Sequence, residues 1–372
     1  MSLSRREASQ HKKNHFPEIK GVDYIEFYTG NAFQAAHFYR AAFGFNLIAC
    51  SGLETGLRDR ESFVVEQNEV RFVLTSALSA NGEIAEHVKL HGDSIKDIAF
   101  IVDDTARAFD MAVSRGARPV LEPSALEDSG GQVIKATVAA YGDTVHSFIQ
   151  RGGYSGEFLP SFRAIQKPPL ARSAGLLSID HMAVSVKSGE LDQWVDFYKQ
   201  VLGFHQSHQE DVSTEYSAMN SKVVQNSAGL IKFPIVEPIV GRRKSQIDEY
   251  LTFHGGPGAQ HIAALTVDIF ATVKMLRANG IEFLFTPDSY YEVLQDRVGS
   301  VEEDIDQLRD NGILVDRDSW GYLMQIFTRP LQSRPTVFME IVQRKGARGF
   351  GSGNIKALFQ ALEREQMRRG NL

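Results

Sequence analysis

Three residues in the second half of the chain carry side chains that bind metals and sit in runs that alternate like strands: His181, His261 and Glu340. The clearest run is SIDHMAVSV (178–186), which puts His181, Ala183 and Ser185 on one face and Met182, Val184 and Val186 on the other. A single histidine facing inward from a strand is ordinarily a hydrogen-bonded core residue. The chain supplies its own control, because it repeats itself. GVDYIEFY (21–28) followed by FYRAAFGF (38–45) matches SIDHMAVS (178–185) followed by FYKQVLGF (197–204). DIAFIVDDTARAFDMAVSRGARPVLEP (97–123) aligns without a gap with HIAALTVDIFATVKMLRANGIEFLFTP (261–287), and VHSFIQR (145–151) matches FMEIVQR (338–344). Three matched segments in one order indicate two copies of a β-rich module. At the aligned positions the first copy has Tyr24, Asp97 and Ser147 where the second has His181, His261 and Glu340. Two imidazoles and one carboxylate form the set that holds Fe(II) while leaving positions open for substrate and dioxygen. One carboxylate also keeps the charge of the site low enough for an anionic substrate. The first copy then reads as metal-free.

The elements that must position these residues follow from the same patterns. Residues 1–20 read as a flexible, charged tail without the apolar stretch of a signal peptide. The first module spans 21–151: a helix over Asn31–Phe45, strands near 61–65 and 70–76, and a helix over Ala106–Arg115 closed by Gly116. Residues 152–177, rich in Gly, Pro and Ser, read as an ordered irregular linker. The second module occupies 178–372 and, holding all three candidate ligands, reads as the catalytic one. Its expected elements are a helix over Glu190–Val201, strands over Tyr216–Val224 and Gly229–Pro234, and a basic turn leading into a short helix over 241–258. An insertion over 288–312 has no counterpart in the first copy, and strands are expected over 321–330 and 335–343. The last segment, 354–372, is an amphipathic helix with Ile355, Leu358, Phe359 and Leu362 on one side. The GGPG of 255–258 lacks the strand-to-helix setting of a phosphate loop.

Composition limits the function classes. With 372 residues, 43% hydrophobic, the chain can build two cores, and 40 basic against 46 acidic residues leave no basic surplus for nucleic acid. The single cysteine, Cys50, excludes an internal disulfide and fits a reducing, cytoplasmic setting. No apolar run is long enough to span a membrane as a helix.

The motifs DHMAVSV, MNSKVV (219–224), KSQIDEYL (244–251), AQHIA (259–263), QIFTRP (325–330), FMEIVQR (338–344) and GFGSGNIKALF (349–359) together carry a resemblance. The chain resembles the vicinal oxygen chelate superfamily and, within it, the 4-hydroxyphenylpyruvate dioxygenase family with its sister hydroxymandelate synthases. The resemblance implies an α+β fold of duplicated βαβββ modules forming two open, barrel-like domains with a C-terminal helix. It implies one Fe(II) per chain held by His181, His261 and Glu340, O2 as co-substrate, an aromatic 2-oxoacid as substrate, and a homo-oligomer, dimer or tetramer. The substrate chelates the metal through its 2-oxoacid group and loses its own CO2, so no separate 2-oxoglutarate is needed. Ser221, Gln246, Gln260 and Gln325 are carried over as polar groups at the reaction, and Pro234, Val236, Phe327, Phe338, Phe350, Asn354 and Ile355 as the pocket.

Two positions depart from the dioxygenase pattern. Val236 stands where the dioxygenases carry Asn, and Ile355 where they carry Phe; hydroxymandelate synthases resemble this chain at both. Pro234 stays as in the dioxygenases. Val236 cannot hydrogen-bond a substrate oxygen, and Ile355 gives up a flat ring, so the substrate ring can swing to expose its benzylic carbon. The expected product is therefore 4-hydroxymandelate, with homogentisate, the product of tyrosine catabolism, as the alternative. Two readings from other classes are a non-redox metal-dependent lyase or isomerase of the same superfamily and a non-catalytic binding protein. The helix over 354–372 is expected to close the site against water.

Overall fold

The computed structural model describes residues 15–165, 168–213, 218–239 and 244–370. The tail before residue 15, the start of the strand expected at Tyr216 and the basic turn over 241–243 lie outside the described residues. The strands, in chain order, are β1 (Gly21–Tyr28), β2 (Asn46–Ser51), β3 (Arg60–Gln67), β4 (Val70–Ala77), β5 (Ser94–Ile101), β6 (Pro119–Asp128), β7 (Gly131–Ala139), β8 (Val145–Gln150) and β9 (Arg163–Ala164). The second half adds β10 (Ile179–Ser185), β11 (His205–Ser213), β12 (Ala218–Gln225), β13 (Lys232–Ile239), β14 (Gly258–Leu265), β15 (Leu314–Arg317), β16 (Tyr322–Phe327) and β17 (Phe338–Lys345).

They build two sheets of one topology. The first runs β6-β7-β8-β5-β1-β4-β3-β2-β9 and the second β15-β16-β17-β14-β10-β13-β12-β11, so the strands match one for one except the added β9. The central pairings agree in direction: β1 with β5 and β10 with β14 are antiparallel, while β1 with β4 and β10 with β13 are parallel. Even the irregularity is duplicated. The β1–β5 ladder shifts register between Val22 and Tyr24, and the β10–β14 ladder shifts between Ile179 and His181. Such a bulge re-aims the side chain that follows it, and in both copies that residue faces the inside of the curled sheet.

Local chemistry accounts for the element boundaries. Helix Ala32–Phe43 begins where Asn31 accepts a hydrogen bond from the Gln34 amide and ends at Gly44, φ +74°. A Cβ on Gly44 would collide with the backbone of Arg172 and Ser173, so this turn also seats the linker. The described residues of 152–177 form no helix, and β9 adds two residues to the edge of β2. The helix expected over Glu190–Val201 is α-helical from Leu191 to Asp196 and continues as a π-turn over Phe197–Val201. The strand expected to stop at Pro234 starts later and runs on to Ile239. Val186 N donates to Val236 O, so residues 234, 236 and 238 turn their backbone toward β10. The missing N–H groups of Pro234 and Pro238 therefore confine that parallel pairing to Ile235 and Val236 and leave the β12–β13 ladder unbroken. The 288–312 insertion is three short helices, Ser289–Glu292, Leu294–Val298 and Ile305–Asn311. The final helix, Ser352–Arg368, starts two residues earlier than expected.

Met182, Val184 and Val186 point away from the cavity into a core shared by both halves, which also holds Phe72, Phe100, Tyr198 and Phe233. His146 binds the two halves within it: Nδ1–H donates to Ile98 O at 3.2 Å, and Nε2 accepts from Tyr198 OH at 2.8 Å. Cys50 is buried. Among the described residues no helix is long and apolar enough to cross a membrane.

Candidate metal centre

His181 on β10, His261 on β14 and Glu340 on β17 meet inside the second sheet, all buried. Three neighbouring strands bring them together: β14 lies between β10 and β17, with His181 opposite Ala263 and Ala263 opposite Glu340. Ala263 has no bulk to separate the side chains. His181 Nε2 lies 3.1 Å and His261 Nε2 3.4 Å from the same oxygen, Glu340 Oε2. The imidazole rings stand nearly perpendicular, 78° apart, and both Nε2 atoms converge on that oxygen.

Neighbouring groups fix the orientation of each ligand atom. Asp180 accepts from His181 Nδ1–H at 2.9 Å, which leaves Nε2 as the free ligand atom. The same carboxylate takes Arg344 Nε and Nη2, each at 2.7 Å, and Arg344 Nη1 donates to Gly349 O at 2.7 Å. His181 is thereby tied to the loop that delivers Phe350. Gln325 Nε2 donates to Glu340 Oε1 at 2.7 Å, and Gln325 Oε1 accepts from Asn354 Nδ2 at 2.8 Å. Gly351, φ +76°, lets the chain pass this amide, since a Cβ there would lie 2.7 Å from Gln325 Oε1. Phe338 stacks on His261 with centroids 4.7 Å apart. The His261 Nδ1 atom is buried and has no hydrogen-bond partner.

The electrostatics suit a cation. Burial pushes the Glu340 carboxyl up, but the His181 charge and the hydrogen bonds from both histidines outweigh it, leaving Glu340 ionised down to about 2. Burial also disfavours a charged His181, yet Glu340 and Asp180 together raise it above its usual value, whereas burial lowers His261. Two imidazole nitrogens and one ionised carboxylate, with the rest of the coordination sphere open, fit a divalent borderline metal of the Fe(II) kind. A proton on His181 Nε2 competes for the same lone pair.

Above the cluster lies a cavity of about 60 Å³ walled by Ser221, Pro234, Val236, Gln246, Gln260, Phe327, Phe350 and Ile355. Gln260 Nε2 donates to Gln246 Oε1 at 2.8 Å, which pairs the two amides at one side. Of the expected pocket residues, Phe338 and Asn354 are not on this wall. Phe338 backs His261, and Asn354, fully buried, bridges Gln325 and Tyr290 OH, from which it accepts at 2.6 Å. Sequence reasoning missed His208, Met219, Val223, Ile247 and Leu358 as wall residues, and Asp180 and Arg344 as supports. Asp180 could have been found from its place directly before His181. Clefts of about 510 and 590 Å³ elsewhere are larger, but the His181–His261–Glu340 cluster lines neither.

The first copy fills the same space with polar side chains. Register equates Tyr24 with His181, Asp97 with His261, Glu26 with Ala183, Thr75 with Val236 and Ser62 with Ser221. It likewise equates Lys135 with Gln325 and Thr137 with Phe327. Lys135 Nζ donates to Tyr24 OH at 2.7 Å and Asp97 Oδ2 at 3.3 Å, while Ser147 Oγ donates to Asp97 Oδ2 at 2.6 Å. No pair of imidazoles exists there, and an ammonium neutralises the carboxylate.

Comparison with known proteins agrees with this geometry. Residues 178–326 match the model of the Glyoxalase/Bleomycin resistance protein/Dioxygenase superfamily, and residues 15–157 that of the hydroxyphenylpyruvate dioxygenase N-terminal region. The chain is 44% identical over 375 residues to a 4-hydroxyphenylpyruvate dioxygenase of Yarrowia lipolytica, covering 96% of this chain and 95% of that one. It is 45% identical over 362 residues to that of Danio rerio, with 94% and 91% covered. A mutant of 4-hydroxymandelate synthase from Streptomyces coelicolor has a similar structure, with a TM-score of 0.87 at 37% identity, covering 94% of this chain and 100% of that one. With near-complete relatives, a duplicated sheet and a two-histidine, one-carboxylate cluster in the second copy, the chain belongs to the 4-hydroxyphenylpyruvate dioxygenase family, dioxygenases of the vicinal oxygen chelate superfamily.

Proposed function

We propose that the chain oxidises 4-hydroxyphenylpyruvate with O2 at an Fe(II) held by His181, His261 and Glu340, and that the main product is homogentisate. The observation that carries the reading is the convergence of two imidazole Nε2 atoms on one ionised carboxylate at the floor of a mostly apolar cavity. Fe(II) bound there would supply the electrons and the open positions at which a 2-oxoacid and O2 react. The protein's own residues do the rest. Asp180 keeps His181 in the Nδ1–H tautomer, and Gln325 holds the far oxygen of Glu340. The Gln246–Gln260 pair and Ser221 offer donors and acceptors to the polar ends of the substrate. Phe327, Phe350, Ile355 and Leu358 keep water away.

Helix Ser352–Arg368 acts as a lid. Ile355 and Leu358 touch the cavity, and Phe359, fully buried, packs on Met219, Val236 and Ile247. A cavity that admits benzene has about 150 Å³, more than twice the 60 Å³ found here. The helix therefore shifts to admit an aromatic substrate and returns to seal it.

The choice of homogentisate, in place of the 4-hydroxymandelate expected from the sequence, rests on relatives named 4-hydroxyphenylpyruvate dioxygenase at 44–45% identity against 37% for the synthase. The synthase reading keeps one specific support: Val236 and Ile355 do form part of the cavity wall. Incubating the Fe(II)-loaded protein with 4-hydroxyphenylpyruvate in air and separating the products by chromatography decides between them. Homogentisate is expected; predominant 4-hydroxymandelate would establish the second reading. Absence of O2 uptake, with turnover under nitrogen on Zn2+ or Ni2+, would overturn both in favour of a non-redox enzyme.

A further inference from the structure

A second group of metal-type ligands lies away from the catalytic cavity, where the two halves meet. His87 and His91 are four residues apart on helix Glu83–His91 and so share a face. Together with Asp143, on the turn before β8, they offer two imidazole nitrogens and a carboxylate oxygen within 4.8 Å of one another. Both histidines are buried, whereas the Asp143 side chain is 56% exposed and opens the cluster to solvent.

The hydrogen bonds of the cluster leave one of its buried nitrogens, His87 Nδ1, unused. His91 Nδ1 lies 2.5 Å from His254 O, and a carbonyl can only accept, so Nδ1 carries the proton. His91 Nε2 lies 2.9 Å from Asp143 Oδ2, so the proton shared along that contact occupies the place a metal would take. His87 uses Nε2 on Ser94 Oγ at 2.8 Å, and its Nδ1 is buried with no hydrogen-bond partner. The His87 and His91 rings lie 4.5 Å apart, centroid to centroid. Lys96 is the cation nearest by, and it is engaged by Glu83 at 3.0 Å and by Asp143 O at 2.9 Å.

We propose that His87, His91 and Asp143 form a second divalent-metal site, of the Zn2+ or Co2+ class, that clasps the seam between the two halves. Imidazole and carboxylate donors suit such a cation, and the exposed Asp143 can rotate to close the remaining distance. The site acts across the seam through His91. A metal on Nε2 locks Nδ1 as the donor to His254 O. His254 closes helix Gln246–His254, whose first residue holds Gln260 beside His261.

The inference stands apart from the assignment of His181, His261 and Glu340, and the test separates the two. Full-length protein is stripped with chelator, given Zn2+, desalted and assayed for metal per chain. Wild type should retain two Zn2+, His261→Ala one, Asp143→Ala one, and the double variant none. Zn2+ should also raise the thermal midpoint of His261→Ala but not of the double variant. Asp143→Ala removes an exposed side chain, so its fold is not at risk; His87→Gln should repeat its effect, with affinity at this site falling more than about tenfold. Equal Zn2+ retention by wild type and Asp143→Ala would overturn the proposal. If His261→Ala retained as much Zn2+ as wild type while Asp143→Ala retained less, the catalytic assignment would fail and the second site would stand.

Discussion

Replacing Asp180 or Arg344 should damage the protein far more than an ordinary ion pair would. Asp180 is buried to 1% side-chain exposure and Arg344 to 15%, and the carboxylate accepts both guanidinium bonds together with His181 Nδ1–H. Arg344 and its neighbours hold the Asp180 carboxyl well below the usual carboxylate range, against the upward push of burial. Asp180→Ala strands a guanidinium that cannot shed its proton, which costs about 3–5 kcal/mol. Lys232, 3.6 Å from Asp180 and already lowered by burial, can lose its proton and adds little. Arg344→Ala strands the carboxylate instead, at a similar cost of about 3–5 kcal/mol. The double variant buries neither charge alone, so it should cost less than the sum of the singles by about 1–3 kcal/mol. Urea unfolding of the four metal-free proteins at pH 7 measures this cycle. Additivity within about 0.5 kcal/mol, or a wild-type midpoint for Asp180→Ala, would refute the reasoning. Asp180→Asn, which keeps one acceptor for His181, should fall between wild type and the alanine variant.

Gln325→Ala frees Glu340 Oε1 and removes the bridge to Asn354, so Fe(II) affinity in an anaerobic titration should drop about 10–100-fold; an unchanged affinity would show that the amide does not orient the carboxylate. Phe359→Ala removes a fully buried ring from the lid contact, a loss of about 3–5 kcal/mol if the helix stayed docked. The helix should instead loosen, with more O2 consumed per product and faster proteolysis near the C-terminus; unaltered coupling and cleavage would count against a lid. Burial lowers His146 from 6.5 to about 4, so the unfolded chain takes up its proton first as pH falls. The stabilisation is complete above about pH 6.5 and is lost on the way down to about 4, worth about 2 kcal/mol between pH 7 and 5. His146→Gln should shrink that pH dependence by this amount in urea unfolding; an identical slope would dismiss His146 as its source.

Much of the candidate metal centre was legible because the chain contains its own comparison. His181, His261 and Glu340 stood out against Tyr24, Asp97 and Ser147, and the sheets place those pairs at equivalent register. The pattern of alternation sorted Met182 from His181 correctly, since faces of a strand are fixed by its period. Supports were harder to read. Asn354 and Phe338 were placed on the cavity wall because they fall in the right motifs, but whether a side chain lines a space or props another residue depends on contacts across distant segments. The Arg344–Asp180 link spans 164 residues, and no local signal carries it. The end of β13 was misread because Pro234 looks like a stop until the direction of its backbone relative to β10 is known.

Lys135 gives the first half a property its twin lacks. Its positive charge is tethered by a side chain, so it cannot be chelated away, exchanged for a wrong ion or diluted out. The Asp97 carboxylate of that half is paired with a cation that belongs to the chain itself. The sister sheet packs against it through one continuous core, so a frame that needs no metal in one half supports the cluster in the other.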